Sequence, residues 1–156
     1  MLKINEIYAS IQGESSHTGL PCIFIRLTGC NLRCSWCDTA YAFYAGNDLT
    51  IEETLQKVDT FGLPLVEITG GEPLLQEDVY PLMEALLKKG YRVMLETSGA
   101  LPIDKVPQRV IKILDIKCPG SGEEKKNHLE NLKLLSPHDE VKFVLLDRAD
   151  YEWSRD

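Results

Sequence analysis

Three cysteines, Cys30, Cys34 and Cys37, stand at C-x3-C-x2-C spacing within the stretch TGCNLRCSWCDT. Three thiolates that close together, carried on a loop, can reach one metal centre, and they leave at least one metal position without a protein ligand. An iron–sulfur cubane held by three thiolates keeps one iron open to a small molecule. A structural zinc ion asks instead for four ligands, the fourth coming from Cys118 or His17. Buried, unligated thiols are the third account. Asp38 and Thr39 follow the last cysteine; a carboxylate and a hydroxyl suit a hard cation such as magnesium, or local capping of the loop. Further along, GGEP places two glycines and Glu72 together. Gly70 and Gly71 let a ligand approach the backbone closely, since no Cβ intervenes, and Glu72 is an acceptor for an ammonium group.

Composition narrows the setting. The 156 residues suffice for one sizeable core. Apolar residues make up 44% and charged residues 26%, which excludes a disordered chain. The net charge of −7 argues against a nucleic-acid surface. The start MLKINEIY has no apolar core of a leader, and no apolar run nears the ~20 residues that span a bilayer. These features predict a soluble, cytoplasmic protein with neither a membrane nor a nucleic-acid partner. Five cysteines, an odd number with three clustered, fit metal ligation in a reducing compartment better than a disulfide framework. Cys22 reads as a small core residue, and Cys118 as a packing residue facing the site. His17, His128 and His138 lack the mutual spacing of a metal site.

The elements that must position these residues alternate. Residues 3–11 read weakly as a strand, and GESSHTG as a loop. CIFIRL (22–27) is a buried strand with one charge, Arg26, which suits either a strand edge or a buried anion. Residues 50–61 form a helix with the capping box Thr50/Glu53 and a face of Ile51, Leu55 and Val58. LVEIT (65–69) is a strand. Residues 77–89 form a helix with Leu82 and Leu86 on its face, ended by Gly90. Residues 91–97 are a strand, and the connection holding Pro102 and Pro107 is too short for a full crossover helix. VIKILDI (110–116) is a strand, 125–135 a helix faced by Leu129, Leu132 and Leu135, and EVKFVLL (140–146) a strand. A helix starts just before Asp156. Such alternation implies parallel βα units with right-handed crossovers, and barrels of this type carry their chemistry on loops after the strands' C-terminal ends. The cysteines, GGE, Ser98–Gly99 and Lys117–Cys118 occupy four such ends.

Taken together, C-x3-C-x2-C and GGEP resemble the radical S-adenosylmethionine superfamily. SIQGESSHTG, Arg26, TGGEP, ETSG and DIKCP extend the resemblance over nearly the whole chain, toward the members that act on pterins. The resemblance implies an incomplete (β/α)6 barrel, a single domain over residues 1–156 that is short at its C-terminal end. The family pattern continues with a last strand and further cofactor and substrate contacts. The strand 140–146, apolar on both faces, would then present an open edge that invites pairing with another chain.

The resemblance also implies the chemistry. A 4Fe–4S cluster on Cys30, Cys34 and Cys37 holds S-adenosylmethionine by its amino and carboxylate groups. One electron, from a donor such as a flavodoxin or ferredoxin, cleaves the sulfonium and yields a 5′-deoxyadenosyl radical. That radical takes a hydrogen atom from 6-carboxy-5,6,7,8-tetrahydropterin. The ring contracts to a deazaguanine acid with loss of ammonia, a step toward queuosine, and returning the hydrogen makes S-adenosylmethionine a true cofactor. By position, Thr39 matches a magnesium ligand. Ile11, Gln12, Gly13, Glu14, Arg26 and Thr69 match substrate contacts. Trp36, Asp38, Gly70, Gly71, Glu72, Ser98, Asp115 and Lys117 match positions around S-adenosylmethionine, Glu72 near its amino group. The superfamily members in question are generally homodimers. A glycyl-radical activating enzyme, which shares the cysteine spacing, and a non-catalytic zinc-binding or truncated remnant are the competing readings.

Overall fold

A computed structural model describes residues 1–156. Seven strands form one sheet: β1 (Leu2–Ile11), β2 (Pro21–Leu27), β3 (Asn47–Leu49), β4 (Leu65–Gly70), β5 (Arg92–Thr97), β6 (Ile111–Ile116) and β7 (Glu140–Phe143), in the spatial order β3-β1-β2-β4-β5-β6-β7. The run β2-β4-β5-β6-β7 is parallel, and β1 pairs antiparallel with both β2 and β3. Three helices accompany the sheet: α1 (Ile51–Asp59), α2 (Val79–Lys88) and α3 (Arg148–Arg155). None is long and apolar enough to cross a membrane.

Alternation along the strands separates two faces. On one, Ile23, Ile25, Leu27, Val66, Ile68, Val93, Leu95, Leu114 and Ile116 pack with Val58 of α1 and Val79, Leu82, Met83 and Leu86 of α2. That is the main core. The opposite face carries a smaller apolar plug of Cys22, Phe24, Leu65, Met94 and Ile113. Beyond the plug, toward the strands' C-terminal ends, the same face turns polar, with Arg26, Glu67, Thr69, Glu96, Asp115 and Lys142. Cys22 is a core residue, as expected.

The capping box of α1 is present on both sides: Thr50 Oγ1 accepts from Glu53 N at 3.1 Å, and Glu53 Oε2 accepts from Thr50 N at 2.8 Å. No helix crosses between β5 and β6; Ile103, Val106 and Val110 fill the space a helix would occupy. Two expected elements differ. Residues 125–135 form 3₁₀ turns (Glu124–Lys126 and Leu129–Leu134) and no α-helix. Leucines at every third residue match the 3₁₀ period of three as well as a helical stripe. Leu129 and Leu132 stay exposed, so no buried face favours an α-helix there. Two asparagines pin the segment instead. Asn127 brackets Lys117, and the buried Asn131 bonds the backbone of Gly99, Leu101 and Ile103. Strand β7 stops at Phe143 and not at Leu146, whose N–H has turned to Asp150 Oδ2 at 2.9 Å. The short strand β3 escapes a sequence reading, because NDL carries no strand pattern and is held by pairing with Leu2–Ile4.

The end of β4 fixes the loop that follows β2. Gly71 N bonds Leu27 O at 3.3 Å, and Glu72 N bonds Gly29 O at 2.8 Å. A Cβ on Gly71 would overlap Gly29 O and lie 2.7 Å from Cys30 Cβ; one on Gly70 would lie 2.8 Å from Leu27 N. The two glycines therefore admit a neighbouring backbone, the cysteine loop, rather than serving only a ligand's approach. Glu72 is fully buried and saturated. Oε1 accepts from Leu74 N (3.0 Å) and Thr97 Oγ1 (2.8 Å), and Oε2 from Ser98 N (2.8 Å) and Ser98 Oγ (2.5 Å). It ties the end of β4 to the end of β5.

Glu72→Ala leaves several buried donors without an acceptor, each costing about 1–3 kcal/mol. Denaturant titration should show a loss of roughly 3 kcal/mol or more, well beyond the loss for an exposed carboxylate such as Glu52. Gly71→Ala should displace the cysteine loop. Iron bound after anaerobic reconstitution should fall to less than about half of wild type, while denaturant stability drops by ~1–3 kcal/mol.

Candidate active site

A cavity of about 580 Å³ opens on the polar face of the sheet. Its wall includes Cys30, Cys34 and Cys37, all part-buried on the loop after β2. That loop is hung at both ends. Leu32 is buried, and Gly29 N bonds Ala42 O at 2.9 Å. On the other side Ser35 N bonds Ser121 O (2.9 Å), Ser35 Oγ bonds Gly120 O (2.7 Å) and Arg33 N bonds Glu123 Oε1 (2.7 Å). The segment after β6 is held in turn by the buried Asp150 of α3, whose Oδ1 accepts from Gly120 N at 2.8 Å.

No three His, Cys, Asp or Glu side chains converge tightly enough to hold a single metal ion. Neither proposed fourth zinc ligand joins the thiols. Cys118 is fully buried outside the cavity wall, which corrects its expected place facing the site, and His17 Nδ1 lies 3.9 Å from Glu140. A cubane would offer a different iron to each thiolate, so its sulfur ligands need only face one cavity, as these do. Burial pushes the Cys30 and Cys34 thiols up, and neighbouring thiolate charge adds to both, so these two are costly to ionise until a cationic centre compensates them. The donor set, three soft thiols facing one cavity, fits an iron–sulfur cluster with one position open.

Two buried polar atoms on this wall have no partner: Trp36 Nε1 and Asp115 Oδ1. Orphans of this kind in a cavity point to a ligand that supplies an acceptor and a donor. Asp115 Oδ2 pairs with Lys117 Nζ at 3.0 Å, and Lys117 Nζ lies 5.1 Å from the Trp36 ring centroid. Burial pushes the Asp115 carboxyl up, and Lys117 and Lys142 oppose the shift. Asp38, Gly70, Gly71 and Ser98 share the same cavity. Thr39 Oγ1 makes no capping bond; it shares a weak 3.8 Å hydrogen bond with Cys37 Sγ on the cavity wall.

The remaining cavity residues include a braced cation and polar groups from β2, β4 and the end of β1. Arg26 is locked in place, its Nε on Glu6 Oε1 at 2.7 Å and its Nη2 on Tyr8 Oη at 3.2 Å, with Tyr41 Oη also on Glu6 at 2.9 Å. Thr69 is its register partner on β4. Gln12, Gly13 and Glu14 close over them from the end of β1. Of the expected site residues, Ile11 and Glu72 do not line the cavity. Ile11 ends β1 with 58% of its surface exposed and offers at most its backbone. Glu72 has spent both oxygens on the neighbouring strand, as described above. Sequence reasoning missed Glu67, Glu96 and Lys142, which also face the cavity. For Glu67 the signal was there, a single charge inside a strand of otherwise apolar or β-branched residues, as Arg26 is; Glu96 and Lys142 share their strands with Arg92 and Glu140.

Comparison with known proteins bears on this site. A profile of the radical SAM superfamily matches residues 24–116. A 7-carboxy-7-deazaguanine synthase of Koribacter versatilis is 56% identical over 99% of this chain and 70% of its own length. Its counterpart in Chlorobaculum tepidum is 48% identical over 99% of this chain and 71% of its own length. The crystal structure of QueE from Escherichia coli superimposes with a TM-score of 0.83 at 27% identity, covering 99% of this chain and 76% of that one. The chain belongs to the 7-carboxy-7-deazaguanine synthase family of the radical SAM superfamily.

Proposed function

We propose that this protein carries out the radical-mediated contraction of 6-carboxy-5,6,7,8-tetrahydropterin to 7-carboxy-7-deazaguanine with loss of ammonia, in deazapurine and queuosine biosynthesis. The observation that carries the reading is a single cavity lined both by three thiols and by a braced guanidinium with hydroxyl and amide groups. Its volume lies in the range of small-molecule sites, which favours a pterin over a protein substrate.

In this reading Cys30, Cys34 and Cys37 hold the 4Fe–4S cluster. Trp36, Asp38, Gly70, Gly71, Ser98, Asp115 and Lys117 hold S-adenosylmethionine. When bound, the pair supplies a radical that takes a hydrogen atom from the substrate. The chain's own residues do the rest. Trp36 Nε1 and Asp115 Oδ1, the two orphans, gain partners on the cofactor. Arg26 keeps Nη1 free of Glu6 and Tyr8 and turns it to a substrate carboxylate; a guanidinium already braced loses little freedom in binding. Thr39 would be a ligand to a magnesium ion, whose positive charge would help hold the substrate carboxylate. Thr69 and the Gln12–Glu14 segment hold the pterin ring and cover it from water.

The same reading extends to architecture and setting. Residues 1–156 make one radical SAM domain, an incomplete (β/α)6 barrel whose next strand would pair with the free side of β7. The exposed Val141 and Phe143 on that edge strand support a covering partner, either further chain or the second subunit of a homodimer. A flavodoxin or ferredoxin serves as electron donor, and the protein works in the cytoplasm.

Anaerobic reconstitution with iron and sulfide should give a brown protein with a reduced-cluster paramagnetic resonance signal that S-adenosylmethionine shifts. The reconstituted protein should consume the carboxytetrahydropterin. A signal indifferent to S-adenosylmethionine, or one tetrahedral zinc per chain and no sulfide, refutes the reading. Thr39→Ala should keep the cluster signal and lower turnover about tenfold or more, with magnesium stimulation lost. Unchanged turnover removes the magnesium role.

A further inference from the structure

Glu67 has no part in the function just described, yet its setting is unusual. It is 3% exposed in the middle of β4, between Phe24 of β2 and Met94 of β5 in register, directly above the apolar plug. No lysine or arginine reaches it, whereas the neighbouring Glu96 has Lys142 Nζ at 2.6 Å. The two carboxyls stand within hydrogen-bonding reach of each other. Two carboxylates cannot both be ionised at such contact without a shared proton. The cation sits with Glu96, so the proton sits with Glu67.

The contacts close on themselves. Lys142 Nζ donates to Glu96 and to Glu14; Glu14 N donates to Gln12 Oε1 at 2.9 Å; Gln12 Nε2 donates to Glu67 Oε2; and Glu67 donates to Glu96. This ring of five side chains joins β4, β5 and β7 to the segment that follows β1. Every link but one is an ordinary ion pair or amide bond. The Glu67–Glu96 link exists only while Glu67 is neutral; the Gln12 bond survives ionisation, but the charged Glu67 then repels Glu96 and Glu14 and pushes the ring apart. We propose that Glu67 is a positioning residue: as a neutral acid bridging Glu96 and Gln12, it holds the Gln12–Glu14 segment against the substrate end of the cavity. The substrate part of this inference rests on the pterin reading above.

The groups facing Glu67 agree. From β2 there is the Cys22 thiol, itself pushed up by burial; from β5, Glu96; from the end of β1, Gln12 and Glu14; none is a cation. Lys142 of β7 is spent on Glu96 and Glu14, with Asp115 of β6 at 3.8 Å. Burial first, and then the Glu96 charge, push the Glu67 carboxyl up to about 8. A free glutamate ionises near 4.3. Between about 4.3 and 8 the folded protein therefore keeps a proton that the unfolded chain has lost. Stability falls as pH rises through that window, and above it Glu67 ionises in place and the ring opens.

The test combines a substrate-free and a kinetic measurement on wild type and on Glu67→Gln, which keeps the shape and a neutral donor. Infrared difference spectra of the cofactor-free protein should show a protonated-carboxyl band that persists at pH 7, titrates with a midpoint near 8, and is missing from Glu67→Gln. In the reconstituted enzyme, the KM for the pterin should rise about tenfold from pH 7 to pH 9 in wild type and stay flat in Glu67→Gln. A band unchanged by the substitution, or a KM that rises equally in both proteins, overturns the proposal. A Glu67 band in a protein that leaves the pterin untouched supports the neutral acid and refutes the substrate assignment, so the two failures are told apart.

Discussion

The site depends on a contact between two backbones. Where β4 ends, Gly70 and Gly71 lie against Leu27, Gly29 and Cys30 with no room for a Cβ on either. Gly71 N bonds Leu27 O at the end of β2, and Glu72 N bonds Gly29 O at the start of the cysteine loop. A loop carrying three thiols has little apolar surface of its own with which to fold. It takes its shape from a strand pair that the core already holds rigid, since β2 and β4 are neighbours whose opposite face is packed by α1 and α2. The glycines lower the intrinsic strength of the strand end. That loss is offset by Glu72, which accepts from three donors at the end of β5 and from Leu74 N in its own turn, and so removes the freedom the glycines add.

The second constraint is charge on a buried face. Arg26, Glu67, Glu96, Asp115 and Lys142 all lie on strands beside an apolar plug, where an unpaired charge is expensive. Each is compensated within the chain: Arg26 by Glu6, Asp115 by Lys117, Glu96 by Lys142, and Glu67 by holding its proton. Such pairs are weak stabilisers at best, and apolar side chains of the same size would serve the fold as well. Their presence marks a face kept polar for a ligand. The two orphans on the same wall, Trp36 Nε1 and Asp115 Oδ1, say the same thing from the opposite side, because they lack what a ligand would bring.

Much of this was legible in the sequence because its signals are local. The capping box of α1, the βα alternation and the strand-end placement of cysteines and glycines each follow from residues a few positions apart. What escaped depends on distant partners. The 124–134 segment has leucines at a spacing that suits either a 3₁₀ or an α stripe, and only the bonds of Asn127 and Asn131 to loops elsewhere decide between them. Glu72 looked like a ligand because its neighbours are glycines, yet the acceptor-hungry groups that claim it, Thr97 and Ser98, lie 25 and 26 residues on. Strand β3 exists through its pairing with β1 alone.

The mid-strand charges show why strand ends alone are an incomplete guide to such a site. Strand-end loops supply the thiols, the glycines and Lys117, all at the rim where the cofactor groups belong. The floor is made by residues one or two pleats lower, and there a side chain is chosen by its partner on the next strand. In a parallel sheet buried on both faces, a lone charge within an apolar run is costly unless an interior cavity receives it. Arg26 in CIFIRL, Glu67 in LVEIT and Lys142 in EVKFV all break the apolar run on the same face. Buried strand charges alone do not locate such a cavity, since Lys112 of β6 pairs with Asp139 at 3.1 Å outside it, but these three, aligned by strand pairing, mark a polar interior. They also separate its floor from its rim: the rim is where ligands to a cofactor sit, and the floor is where charges must balance among themselves until a substrate joins them.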